Sequence, residues 1–227
     1  MVMLLPATSE LLQAFREEIT SARGTVLDVF EDGSRLFVRS TLTACDEVRP
    51  GDTIQAGVAL RTQSHEVLVH PYTFRQVCRN GTIVAQALES RRIKRVSFSA
   101  SSDEVEQVLA EVREAVGACS APEAFWDTAA KMQSAADVHA DFALQLLPML
   151  SRLTGISQSL MDAIWERFEE SDRSLFAMTN AVTATARDQP DPELRWRLEE
   201  LGGGVLALLK PTRTPDGARK VLVPTAG

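Results

Sequence analysis

The spacing of apolar residues changes twice along the chain, and each change marks a different kind of element. Leu11, Leu12, Phe15 and Ile19 recur at helical intervals between Thr8 and Ala22 and predict a short amphipathic helix. From about residue 24 the period drops to two. "TVLDVF", the turn "EDGS" and "RLFVRSTL" predict a hairpin with an Asp-Gly centre, where glycine accepts the positive φ of a primed turn. "RPGD" predicts a second turn, after which "TIQAGVAL" places Ile54, Ala56, Val58 and Leu60 on one face. "EVLVHPYTFRQVC" predicts a strand bent at Pro71, because proline cannot donate to a ladder, with Val77 pointing inward. Asn80-Gly81 predicts a tight hairpin turn, and "TIVAQAL" and "RIKRVSF" continue in extended form. Residues 24–98 therefore read as an antiparallel meander of about five to seven strands.

After Ser99 the period becomes 3.6. Ser101 and Glu104 form a capping box ahead of the stripe Val105, Val108, Leu109, Val112 and Val116. Pro122 suits the first turn of a second helix, and Asp137 to Leu153 continues helically with Phe142, Leu146 and Met149, kinked at Pro148. Three further stripes follow: Met161, Ile164, Trp165 and Phe168; Leu175, Met178 and Val182; and Leu194, Leu198 and Leu201, which Gly202-Gly203-Gly204 is expected to stop. The tail from Pro211 is rich in breakers and is expected to be irregular. One helix, a run of strands and a group of about five helices is an α+β order, read as one domain over residues 1–210 with a tail over 211–227.

Composition narrows the function classes. The protein has 227 residues, 44% of them hydrophobic and 24% charged, enough for a proper core. No apolar run approaches the ~18 residues of a membrane span, so a cytoplasmic protein without membrane contact is expected. Cys45, Cys78 and Cys119 form no CxxC pair, which fits a reducing compartment. No GxGxxG follows a strand and no Walker-type loop is present, so no nucleotide cofactor is expected. His65, His70 and Cys78 are the one cluster resembling metal ligands, but the odd spacing of the histidines sends them to opposite faces of a strand and no fourth ligand is evident. No catalytic constellation can be read, and the expectation leans away from an enzyme.

The net charge of -7 hides a local reversal. Arg61, Arg75, Arg79, Arg91, Arg92, Lys94 and Arg95 stand against only Glu66 and Glu89, a local charge of +5 that leaves -12 for the rest of the chain. These cations, with Tyr72 and Phe74 as stacking faces, are the groups a single-stranded nucleic-acid groove uses. A charged edge strand, or a surface that docks acidic helices of another copy, is the alternative reading.

"FRQVCRNG" and "FAMTNAVTATARDQPDPELRWRLEELGG" carry a resemblance. The first is similar to the Arg-x-Val-Cys-x-Asn strand, followed by Gly or Thr, of phage- and plasmid-like proteins known as domain of unknown function nine-three-two, matched here by Arg75, Val77, Cys78, Asn80 and Gly81. Gly51, Asp52, Gly57, Ser64 and His65 resemble its upstream element, and Asn180 to Thr183 resemble the start of a late helix, so the likeness covers about residues 45–205. The chain departs from longer members in its compressed N-terminus and in "SRRIKR". The resemblance implies a setting in mobile-element DNA metabolism and no reaction, cofactor or catalytic residue. The resulting expectation is a non-enzymatic, oligomeric protein that binds or anneals single-stranded DNA through a basic hairpin; a self-assembly module and a hydrolase or nuclease without signature are the alternatives.

Overall fold

The computed structural model describes residues 4–63, 65–97, 99–140, 155–207, 210–213 and 219–222. The strands are β1 (Leu4–Leu5), β2 (Thr25–Asp32), β3 (Arg35–Thr41), β4 (Cys45–Arg49), β5 (Asp52–Gln63) and β6 (Glu66–Arg75). They continue with β7 (Asn80–Ile83), β8 (Arg91–Lys94), β9 (Val96–Ser97), β10 (Lys210–Arg213) and β11 (Arg219–Leu222). The helices are α1 (Thr8–Ser21), α2 (Ser102–Cys119), α3 (Pro122–Ala136), α4 (Gln158–Glu169), α5 (Leu175–Arg187) and α6 (Pro192–Leu206). The fold is α+β, with an N-terminal helix, antiparallel strands and then helices. Among the described residues no helix is long and apolar enough to cross a membrane.

The chain forms two interleaved compact units: residues 1–45, 55–74 and 87–126 make the first, and 46–54, 75–86 and 127–227 the second. In the first, β2 pairs antiparallel with β3 from Thr25↔Thr41 to Asp32↔Arg35, so the hairpin loop is Gly33-Ser34 with Gly33 at φ +62. β3 pairs antiparallel with β5, and β6 lies next to β5. β8 pairs antiparallel with β6 only from Glu66 to Val69 and stops short of Pro71, which has no N–H to extend a ladder. α1 buries Leu11, Leu12, Phe15 and Ile19 against β2, β3 and α2. α2 begins at the expected capping box, where Ser101 Oγ accepts from the Glu104 N–H and the Ser101 N–H donates to the Glu104 carboxylate at 2.8 Å.

In the second unit α5 packs against α4, α6 and β7, and α6 also lies on β7. The α4 and α5 stripes are buried at Met161, Ile164, Phe168, Leu175, Met178 and Val182. Three expectations are corrected here. Gly202 to Gly204 do not stop a helix, because α6 runs through them to Leu206. At two of the three, small size is needed inside it: a Cβ on Gly203 would collide with the Ile83 carbonyl oxygen, and one on Gly202 would crowd Thr183. Asn80-Gly81 is not the turn. The chain reverses over Gln76–Arg79, with Arg79 at φ +52, and Asn80 and Gly81 already lie buried in β7. Val77 does not point inward but is 61% exposed at that turn.

Residues Asp137 to Ala140, expected at the head of a helix, form a turn and a bridge of His139 to Ser174; the rest of that segment, from Asp141 to Leu153, lies outside the described residues. The tail, expected to be irregular, is corrected in part: Lys210–Arg213 pairs antiparallel with Arg219–Leu222.

Candidate functional site

The nine residues expected at a nucleic-acid surface divide between the units. Arg61, Tyr72, Phe74, Arg91, Arg92, Lys94 and Arg95 belong to the first, Arg75 and Arg79 to the second. Several are internal. Arg61 is 4% exposed and donates to Gln63 Oε1 at 3.1 Å, and Tyr72 is 2% exposed, so it offers no ring face to a base. Phe74 is half-buried. Arg95 reaches back to donate to the Pro6 carbonyl at 2.7 Å, and burial lowers its pKa. What stays exposed in the first unit is the trio on β8. Arg92 pairs with Glu66 at 3.0 Å, Arg91 donates to the Leu88 and Ser90 carbonyls, and Lys94 has no ion-pair partner among the described residues.

β8 alternates as a strand should. Ile93 is buried, while Arg92 and Lys94 lie on the opposite face, beside Leu68 and Glu66 of β6 in the register. Among the described residues β6 is the strand that pairs with β8, leaving its other side without a strand neighbour. His65 is exposed and His70 is buried, both in the first unit, whereas Cys78 is in the second. Among the described residues no group of three or more His, Cys, Asp or Glu side chains could hold a metal.

The second unit places a cavity of about 290 Å³ where the turn after β6 meets α4 and α5. Arg75 is its most constrained wall. Its guanidinium donates to both oxygens of Asp52, at 2.6 and 2.7 Å, and to Cys78 Sγ at 3.0 Å, and it lies 5.4 Å above the Phe176 ring. Burial opposes the charge on Arg75, but the hydrogen bond and charge of Asp52 outweigh it and raise the pKa above the usual arginine value. The Cys78 carbonyl in turn accepts from Arg187 at 2.6 Å, fixing the turn on α5.

Two more arginines line the cavity. Arg49, from β4, pairs with Asp172 and donates to the Ala136 carbonyl at 2.6 Å. Burial alone would raise the Asp172 pKa, yet the Ser174 N–H and Arg49 hold it below the ordinary carboxylate value. Arg167 donates to Thr185 Oγ1 at 2.9 Å and to Asp188 at 2.8 Å. Asn180 also lines the cavity, and its side-chain amide has no hydrogen-bond partner among the described residues. The segment quoted for its resemblance thus supplies Arg75 and Cys78 to the cavity, while Asn80 stands behind it, donating to Thr183 Oγ1.

Of this site the sequence pointed to Arg75 and Cys78, and the resemblance also touched Asp52 and Asn180 without joining them to one site, while Arg49 and Arg167 were missed. These members come from separate stretches and no spacing rule joins them. No family model, no curated protein and no solved structure matches the chain.

Proposed function

We propose that the protein is a non-enzymatic nucleic-acid binder that contacts phosphates through β8, in the mobile-element setting that the Val-Cys-x-Asn-Gly resemblance implies. One observation carries this reading: Arg91, Arg92 and Lys94 are all exposed on a single four-residue edge strand, and of the three only Arg92 has an acidic partner. Such a strip supplies backbone contacts and no base readout, and the burial of Tyr72 removes the stacking contribution first expected. Binding is therefore expected to depend on salt and to tolerate sequence.

Fluorescence anisotropy with labelled single- and double-stranded oligonucleotides, at two salt concentrations, tests it. Each lost phosphate contact lowers the log–log salt slope by about 0.7 to 0.9, so replacing Arg91, Arg92 and Lys94 together by alanine should flatten it by about two to three. A triple variant that binds like its parent ends the proposal.

A second reading, self-assembly, is favoured by a different strand. Leu27, Val29 and Phe30 on the edge strand β2 are 42%, 38% and 37% exposed, an apolar edge of the kind that recruits another strand. If β2 joins copies, Val29→Lys should lower the mass seen by light scattering while oligonucleotide binding per chain persists.

A further inference from the structure

We propose that the cavity of the second unit is a binding site for a small ligand carrying a phosphate or carboxylate group, separate from the β8 strip. Its electrostatics are the opposite of the whole chain's. Arg49, Arg75 and Arg167 line it with Asp52 and Asp172, an excess of one positive charge in a protein of net charge -7.

The hydrogen-bond inventory points the same way. A guanidinium has five N–H donors. Arg75 commits three to Asp52 and Cys78, Arg49 two and Arg167 two. Donors therefore remain on all three, together with the Asn180 amide. The carboxylates of Asp52 and Asp172 are already engaged by arginines and the Ser174 N–H. A site with spare donors and engaged acceptors selects a ligand rich in acceptors. Each such oxyanion contact is charge-assisted and stronger than a neutral hydrogen bond.

Shape limits the rest. About 290 Å³ corresponds to roughly ten waters, near the lower end of ligand sites. Phe176, Ala177, Ala181 and Ala184 form an apolar side, so the ligand has a small apolar or planar body beside its charged end. Arg75 is pinned in place and presents its remaining N–H groups without reorganising, which favours binding over flexible surface capture.

The test uses the full chain. Inorganic phosphate and benzoate are titrated against matched chloride, following the thermal midpoint and the alkylation rate of Cys78 in a Cys45→Ser background. At least one oxyanion should raise the midpoint above the chloride control and slow Cys78 alkylation, and the arm that responds identifies the group. Asn180→Ala, which removes no hydrogen bond of the folded chain, should weaken that binding about tenfold. Arg49→Met should weaken it as well. The proposal is overturned if neither anion exceeds chloride, if Cys78 alkylates equally fast with the anion present, or if Asn180→Ala binds as tightly as the parent.

Discussion

Burial holds the His70 imidazole neutral down to a pKa of about 4, below its ordinary 6.5, and the neighbouring Arg61 and Arg92 push the same way. An unfolded chain takes up this proton near pH 6.5, while the folded chain refuses it until about pH 4. The unfolded state binds more protons across that window, so stability is full above it and falls as the pH drops through it. Between pH 7.5 and 5 the loss should be about 2 kcal/mol in urea unfolding, and a His70→Gln variant should show a markedly flatter dependence. Cys119 is the thiol counterpart. Burial first, then the Glu89 carboxylate, push its pKa up to about 12, and its sulfur donates to the Glu89 carbonyl at 3.3 Å. Mass-spectrometric mapping after alkylation at pH 8 should find Cys45 modified and Cys119 intact. The sequence put His70 in the strand it occupies and left Cys119 beyond the last residue of the α2 stripe. It could not report their burial, because that depends on what distant segments cover them.

At the scale of elements, what could be read depended on whether the deciding interaction was local. The capping box at Ser101, the α1 stripe and the Gly33 turn are encoded within a few residues, and each forms where its pattern lies. The two misread glycine features depend on distant partners. Asn80 is held by Thr183, 103 residues away, and Gly203 lies against Ile83, so neither obeys turn or helix-stop chemistry. This contrast gives a paired prediction. Gly203→Ala should destabilise by about 1–3 kcal/mol or more, through its clash with Ile83. Gly204→Ala has nothing nearer than Gln86 Nε2 at 4.0 Å and should stabilise α6 by about 0.5–1 kcal/mol. Thermal midpoints moving in opposite directions would bear this out, and equal shifts would refute the packing account of the triple glycine.

On the scale of the whole molecule, both units are built from non-contiguous stretches. The second takes residues 46–54 and 75–86 from amid the strands of the first before its helical part begins at 127. No single cut separates them. A fragment of residues 127–227 lacks β7, against which α5 and α6 pack, and the Asp52–Arg75 wall of the cavity. Such a fragment should lose the cooperative thermal transition of the intact chain in circular dichroism, and adding back residues 1–126 should restore it only in part. A cooperative transition in the isolated fragment would show that β7 is dispensable. An α+β order was legible from the alternation of periods along the chain. The interleaving was not, because hydrophobic spacing identifies a strand without saying which core it serves.

The pairing of Arg49 with Asp172 spans 123 residues. A ribosome adding about 5–20 residues per second needs roughly 6–25 s to make that stretch. Through the later part of that interval β4 and the segment carrying Arg75 and Cys78 exist without the helices that will receive them, with the Cys78 thiol open to whatever else is nascent or nearby. The vulnerable moment for this protein is therefore late in its own synthesis, and slowing translation after residue 86 should lower the yield of folded chain more than slowing it before residue 46.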